Sequence, residues 1–243
     1  MKVSIGALTL LLLAPLPLSA QTRERGYIAL TGGAQVSTGT LTDRFVYTVN
    51  AEDATTEARY PSKAAVLFDG GAGLRFWRNI GAGVHVSRSS VAGTVRTESS
   101  IPHPFFDDRD RQVSGEAADI SRTETAAHLQ LYYVRDIGRW RLRLSGGPSY
   151  FTVSQEVVTG ILLDEQFPYD TATFRSATTS RGKESAPGFN VGADVGRLFT
   201  RRLGASAMVR FARGSVDFNL DGIHRVSTDA GGAQAGAGIR VAF

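Results

Sequence analysis

Three side chains in this sequence could together hydrolyse an acyl bond. His85 and Ser87 are two residues apart in one segment, and a turn near Arg78 would bring Asp69 beside Ser87. In a Ser, His and Asp set the histidine activates the serine and the carboxylate orients the histidine. Residues two apart on a strand lie ~7 Å apart, however, which is too far for a direct hydrogen bond. We therefore favour a hydrogen-bonded structural network over a catalytic one.

The elements that must position these residues are strands, because apolar residues recur at every second position. In the segment 231–243, Ala237, Ile239, Val241 and Phe243 share one face, and small or polar residues occupy the other. An apolar outer face with a small, polar inner face is typical of outer-membrane barrels. The sequence contains eight such segments and no amphipathic helix. They are residues 26–36, 64–77, 80–95, 121–135, 139–154, 187–199, 203–218 and 231–243.

The connections between these segments alternate between short turns and long loops. The short turns lie near 78–79, 136–138 and 200–202, and the long loops cover 37–63, 96–120, 155–186 and 219–230. Outer-membrane barrels have short periplasmic turns and longer extracellular loops. We therefore predict an all-β fold, an eight-stranded antiparallel up-and-down transmembrane β-barrel with its short turns in the periplasm.

The inward positions of these strands carry most of the titratable side chains. The interior of an eight-stranded barrel is just wide enough for side chains to fill it, and charges there must pair or be solvated. We predict a lumenal polar network that fills the barrel and, with five arginines against three carboxylates, favours anions along any remaining path. We expect no metal ion and no cofactor. The network consists of Asp69, Arg75, His85, Glu124, His128, Arg141, Arg143, Asp194, Arg210 and Arg240.

The N-terminus predicts export. Lys2 precedes an apolar run over 7–18 and a small-residue cleavage site at Ser19-Ala20, as in a secretory signal peptide. We predict a signal peptide at 1–20 and a single barrel domain at 21–243. The chain has no Cys, so the exported domain is expected to be stable without disulfides. Its 24 arginines and 3 lysines are scattered along the strands, and we expect no nucleic-acid partner.

The C-terminal strand, which ends on an aromatic after alternating apolar residues, resembles that of small eight-stranded bacterial outer-membrane barrels. These include the membrane domain of outer membrane protein A and the opacity-type proteins. The resemblance implies that Phe243, with Val241 and Ile239, is an assembly signal recognised by the barrel-insertion machinery. It also implies a location in the outer membrane of a Gram-negative bacterium.

We therefore predict an integral outer-membrane barrel with a structural or surface-interaction role and no enzymatic activity. A narrow porin-like channel for small solutes is the alternative. A lipid-A-modifying hydrolase is less favoured: some small barrels that trim lipid A use a His-x-Ser pair, but here Val84 and Val86, not His85, face lipid. The expected partners are outer-membrane lipid and lipopolysaccharide, the latter bridged by divalent cations to the acidic loops 96–120 and 155–186. The partner of the loops is not predicted.

Overall fold

The computed structural model of the protein describes residues 25–37, 41–107, 109–137, 139–220 and 224–243. The predicted signal peptide at 1–20 lies outside these residues. The described chain contains no helix long and apolar enough to cross a bilayer.

The described residues form ten strands, all paired antiparallel. They are β1 Gly26–Val36, β2 Leu41–Val49, β3 Glu52–Tyr60, β4 Ala64–Trp77, β5 Ile80–Pro102, β6 Asp110–Ile137, β7 Trp140–Glu165, β8 Ala172–Leu198, β9 Leu203–Leu220 and β10 His224–Ala242.

Eight of the ten strands close into a ring, which confirms the predicted barrel. The order around the ring is β1, β4, β5, β6, β7, β8, β9 and β10, and β10 pairs with β1 to complete it. Strands β1 and β4 have the same bounds as predicted from the sequence. The short connections near 78–79, 139 and 199–202 lie at one end of the ring with Phe243, and we call this the turn end. We call the opposite end the loop end.

The predicted long loops are wrong, because most of these residues are strand. Residues 41–60 of the first predicted loop form the β2–β3 hairpin, which pairs with β5 between Arg59↔Arg96 and Thr55↔Ser100. The other three predicted loops contain continuations of β5 through β10 past the level where β1 and β4 end. We call these continuations, with the β2–β3 hairpin, the extension. Their outward residues are mostly polar, apart from exposed side chains such as Val46 and Leu162, so the sustained apolar alternation that marks a lipid-facing strand is missing from the sequence.

Below the extension, the ring has an exposed apolar outer surface, which we call the band. Its outward side chains include Leu30, Val86, Leu131 and Val209, each more than half exposed. A β-bulge between Arg75 and Trp77 turns Trp77 outward, although the alternation predicted it to face inward. Aromatic side chains are exposed at the turn end of the band: Phe76, Trp77, Tyr133, Trp140, Phe199 and Phe243.

The main hydrophobic core lies inside the extension and the adjoining part of the ring. Tyr60, Val95, Val157 and Phe218 are buried there with Phe151. A second, smaller apolar cluster lies near the turn end and is formed by Tyr27, Ala29, Tyr132 and Val134. Between the two clusters the interior of the ring is polar.

Candidate functional site in the barrel lumen

Asp69 is the centre of the polar interior. It lies on β4, is 4% exposed, and uses both carboxylate oxygens. Its Oδ1 lies 2.8 Å from His85 Nδ1, and its Oδ2 accepts a 2.6 Å bond from Arg210 Nη2 on β9. Two strands, β1 and β10, separate β4 from β9 in the ring, so this ion pair crosses the lumen. Each carboxylate oxygen thus has a partner, and the Arg210 guanidinium meets the requirement that a buried charge be paired.

His85 links Asp69 to the turn end. Its Nε2 lies 3.0 Å from the Tyr27 hydroxyl, so the two ring nitrogens have two different partners. Glycines give both rings room: a Cβ on Gly71 would collide with the His85 ring, and one on Gly73 with the Tyr27 ring. These close approaches explain glycine at both inward positions.

The Ser, His and Asp set does not assemble as a catalytic relay. Ser87 is bonded to Nε2 of another histidine, His128, at 3.0 Å, and the Nδ1 of that ring lies 2.8 Å from Ser149 Oγ. His85 connects Asp69 to Tyr27 instead of to Ser87. His128 is fully buried, so its pair with Ser87 has no contact with the outside of the barrel. The geometry therefore separates the histidine that has a carboxylate partner from the serine.

A chain of hydrogen bonds runs from Asp69 to the loop end of the ring. Arg210 Nε donates to Gln234 Oε1 at 2.6 Å, and Gln234 donates to Gln35 Oε1 at 2.7 Å. Gln35 donates to Glu124 Oε2 at 2.8 Å, and Glu124 also accepts a bond from Arg122 Nε at 2.8 Å. Together these residues connect the full height of the polar interior, and we call them the lumenal ladder: Tyr27, His85, Asp69, Arg210, Gln234, Gln35, Glu124 and Arg122.

Towards the turn end, one carboxylate serves two arginines. Asp194 accepts bonds from Arg240 at 2.8 Å and from Arg143 at 3.2 Å. The Arg143 guanidinium also lies 3.7 Å from the centre of the Tyr27 ring, a cation–π contact. Among the described residues, the buried Nε and Nη1 of Arg240 and Nε of Arg143 have no hydrogen-bond partner. This part of the lumen therefore has more hydrogen-bond donors than acceptors among the described residues, and two arginines share a single carboxylate.

The structure places nine of the ten sequence-predicted network residues in bonded groups. Asp69, His85, Glu124 and Arg210 belong to the ladder, and the groups described above contain His128, Arg143, Asp194 and Arg240. Arg141 bonds Asp136 at 2.6 Å at the rim of the turn end. Arg75 is half-buried near the same rim and has no side-chain bond to the described residues. Four further members of the network were not predicted from the sequence, although the alternation places them on inward faces of β1, β6 and β10: Tyr27, Gln35, Arg122 and Gln234.

The fold gathers arginines that the sequence presents as scattered. Because neighbouring strands run in opposite directions, residues near every turn meet at the same end of the barrel. Asp136 lies on the same rim and bonds one of the described turn-end arginines, Arg141. These arginines are Arg25, Arg75, Arg78, Arg135, Arg139, Arg141, Arg197, Arg201 and Arg202.

The tip of the extension presents aromatic side chains to solvent. Phe105, Phe106 and Phe167 are 67%, 54% and 83% exposed. Tyr169 packs edge-on against Phe105, with ring centres 5.5 Å apart. This aromatic tip joins the β5–β6 and β7–β8 connections into one surface.

The acidic residues of the predicted loops are largely paired with arginine in the structure. Glu165 lies 2.6 Å from Arg111, and Asp170 lies 3.0 Å from Arg109. On the outer surface of the extension, Glu156 accepts bonds from the Ser121 backbone N–H at 2.9 Å and from Arg181 at 2.6 Å. The Ser121 N–H bond, followed by the Arg181 bond, lowers the pKa of the Glu156 carboxyl from its ordinary value. The described residues contain no cluster of three or more side chains able to hold a metal ion.

No protein-family model matches the chain, and no curated protein matches it. Among solved structures, Neisserial surface protein A is 13% identical and matches over 90% of this chain and 97% of its own, with a TM-score of 0.47. OprG of Pseudomonas aeruginosa is 10% identical over 90% and 97% of the two chains, with a TM-score of 0.49. The outer membrane protease OmpT of Escherichia coli is 11% identical over 91% and 98%, with a TM-score of 0.47. All three are named as surface or outer-membrane proteins, but the identities are too low for any activity to be transferred.

Proposed function

We propose that this protein is an integral outer-membrane β-barrel with a structural or surface-interaction role and no enzymatic activity. The single observation that carries the proposal is the radial arrangement of the ring, which is apolar outside and charged inside. A soluble barrel would have the reverse arrangement, because burial of apolar surface is what drives its folding. An outward apolar surface is stable only against hydrocarbon or another apolar partner.

The dimensions of the band support the membrane location. On β10 the outward face is apolar from Ala233 to Val241, nine residues. A tilted strand needs ~9–11 residues to cross a bilayer core. The exposed aromatics at the turn end lie where an aromatic girdle meets the lipid headgroups. The predicted export by a signal peptide at 1–20 agrees with this location.

The lumen supports a structural role better than free passage. The lumenal ladder crosses the interior with bonds of 2.6 to 3.0 Å, and we propose that it fills the barrel. A solute could pass only by breaking charge-assisted hydrogen bonds, which are the stronger ones in proteins. We propose that the protein therefore conducts poorly, with a preference for anions in whatever current remains.

The extension supports a surface-interaction role. With the turn end in the periplasm, the extension stands above the outer leaflet with its aromatic tip most distant from the membrane. Exposed aromatic side chains are enriched where proteins bind partners. We propose that the sides of the extension contact lipopolysaccharide, while the tip binds a partner outside the cell. During assembly, Ile239, Val241 and Phe243 would be recognised by the barrel-insertion machinery.

Membrane fractionation of expressing cells tests this proposal. The protein should be found in the outer-membrane fraction, cleaved near residue 20, and should migrate faster on gels without boiling than after boiling. In planar bilayers the refolded protein should give little or no stable conductance. Recovery in the soluble periplasm would contradict the membrane location, and frequent, stable channel openings would contradict the filled lumen.

A further inference from the structure

The uncompensated donors of Arg240 point to a ligand. Its side chain is 5% exposed, and its Nη2 bonds Asp194 at 2.8 Å. The other two nitrogens, Nε and Nη1, are buried and have no partner among the described residues. An unsatisfied buried guanidinium is costly, and native proteins rarely leave one without a protein, water or ion partner.

The same arginine lines a cavity that opens at the turn end. The cavity has a volume of about 120 Å³ and lies between the β6–β7 and β8–β9 turns. At ~30 Å³ for each water molecule it has room for about four waters, and so for a tetrahedral oxyanion. Arg139, Arg141 and Arg197 line it with Arg240.

The charge of this cavity is strongly positive. Four arginines line it against one carboxylate, Asp136, which is already bonded to Arg141 at 2.6 Å. Including the neighbouring Arg143 and Asp194 leaves the surplus at three positive charges. Guanidinium groups bind phosphate through paired, charge-assisted N–H bonds, and several forks around one small space suit an anion with three or more acceptor oxygens.

Trp140, which lines the cavity, shows where the cavity lies relative to the band. Its ring is half exposed at the turn-end edge of the band, and the Arg197 guanidinium lies 5.5 Å from its centre. Tryptophan at a band edge marks the headgroup level of a bilayer. The mouth of the cavity is therefore level with lipid phosphates and also open to the solution beyond them.

We propose that the cavity lined by Arg139, Arg141, Arg197 and Arg240 is a binding site for a phosphate-type oxyanion. The anion enters from the turn end and accepts hydrogen bonds from the guanidinium groups that line the cavity. Its source is either the headgroup of an anionic phospholipid or a free phosphate ion. Only the lipid source rests on the proposed membrane location.

The test compares two double variants that remove the same charge from the same end of the barrel. Arg139→Gln/Arg197→Gln removes two guanidinium groups from the rim of the cavity. Arg201→Gln/Arg202→Gln removes two exposed ones from the neighbouring turn, outside the cavity lining. Neither pair belongs to the lumenal ladder, so both variants should fold and show the heat-dependent gel shift of the wild type.

Inorganic phosphate is the first probe, added to each protein in an uncharged detergent and followed by calorimetry and by ³¹P NMR. Loss of two charge-assisted contacts should weaken binding by at least about tenfold in the cavity variant. The turn variant should bind like the wild type. Because this arm needs no bilayer, it tests the site even if the protein fails to insert into membranes.

Phosphatidylglycerol is the second probe, supplied in phosphatidylcholine vesicles and measured as lipid retained by the protein in native mass spectrometry. If the wild type and the turn variant bind phosphate in detergent and the cavity variant does not, the result supports a free phosphate ion as the ligand. Retention of phosphatidylglycerol without phosphate binding, lost in the same variant, supports the lipid headgroup. The proposal is overturned if the wild type binds neither probe, or if the two double variants lose binding equally.

Discussion

The band and the extension are built from the same strands but have opposite radial polarity. Along β5, Val84 and Val86 face outward in the band while His85 is buried inside. Further along the same strand, Val95 is buried inside and Arg96 faces outward. The alternation is unbroken, since odd-numbered residues face inward in both regions. What changes is the class of side chain that each face carries, as the proposed change from lipid to water outside the strand would require.

The two regions are therefore stabilised in different ways. The interior of the band is polar and is held by the bonds of the lumenal ladder, while the apolar side chains of the band face outward. The extension has a conventional apolar core around Val95, Val157 and Phe218. Its folding draws on the hydrophobic effect in water. The following substitutions should separate these two sources of stability.

The largest effect is expected for Asp69→Ala in the ladder. It leaves the buried Arg210 without its carboxylate and should lower the free energy of unfolding by about 3–5 kcal/mol. The matched control is Asp229→Ala, which breaks the 2.9 Å surface pair with Arg213 in the extension. The control should cost no more than about 1 kcal/mol. Urea unfolding in vesicles measures both, and equal losses would mean that the ladder does not stabilise the band.

Phe218→Ala should have an effect of similar size in the other region. Phe218 is 1% exposed within the extension core, and its truncation should cost about 3–5 kcal/mol. Phe211→Ala, on the outward face of the same strand in the band, is the control. It removes a ring that packs against Phe189 and faces lipid, and should cost about 0.5–1.5 kcal/mol. A larger loss of stability for Phe211→Ala than for Phe218→Ala would contradict the assignment of the apolar core to the inside of the extension.

Outward arginines should be tolerated in one region and not in the other. Val209→Arg puts a charge in the middle of the band and should cost about 2–4 kcal/mol in bilayers. Ser114→Arg puts the same charge on the extension, directly opposite Glu98, and should change stability by less than about 0.5 kcal/mol. The measurement is refolding and urea unfolding in vesicles. Equal tolerance of the two substitutions would show that the band does not face hydrocarbon.

Phe243→Ala tests whether the Phe243 ring, at the turn-end edge of the band, is needed for assembly or for the stability of the folded barrel. The backbone bonds that join Phe243 to Gly26 do not involve its ring, so the variant keeps them. Interfacial burial of the ring contributes at most about 1.5–3 kcal/mol. We expect unfolded variant to accumulate in the periplasm of cells, and purified variant to refold in detergent with a modestly lower thermal midpoint. Normal outer-membrane levels in cells, or failure to refold in detergent, would each rule out a recognition role.

The smallest effect is expected from pH acting on Glu156. Its pKa is lowered in the folded protein, so its bonds to Ser121 and Arg181 stabilise the extension above pH 4.5 and are lost as pH falls through the lower folded value. Because the pair lies on the outer surface and its Arg181 side chain is exposed, the gain should be below about 1 kcal/mol. Thermal midpoints of wild type and Glu156→Gln should therefore differ at pH 7 and converge under acidic conditions. A difference that persists at the lowest pH would assign the effect to packing.

The sequence predicts the band well because apolar outward residues alternate strictly with small or polar inward ones there. On β6, the apolar residues Leu129, Leu131 and Tyr133 identify the outward face without ambiguity. Strands β1 and β4 begin and end where their own apolar alternation begins and ends. The extension has the same period but a weaker contrast. Val95, Thr97 and Ser99 face inward against Arg96 and Glu98, and such a mixed stretch resembles a polar loop. A bulge on β6 between Ala117 and Ile120, opposite Gly93 and Val95, further obscures the period of β6.

The candidate site is only partly accessible from the sequence. Register across the 78–79 turn places Asp69 opposite Ser87, and the structure has this pair. The partner that Asp69 actually binds, Arg210, is 141 residues away on the far wall. Its position depends on the stagger of the whole ring, which no local pattern encodes. The turn-end cavity is hidden for the same reason, since its arginines come from separate turns.

The ion pair between Asp69 and Arg210 has a mechanical consequence for the barrel. A closed sheet with an empty interior can flatten into an oval, because the angle between neighbouring strands can change while the hydrogen bonds that join them are kept. The bond across the lumen from β4 to β9 acts as a spoke, and the bond from Gln35 on β1 to Glu124 on β6 acts as another. Each spoke resists the change in diameter that flattening requires, and fully satisfied polar networks are rigid. The cross-section of the band is thus held round from within, and the extension stands on a stiff ring.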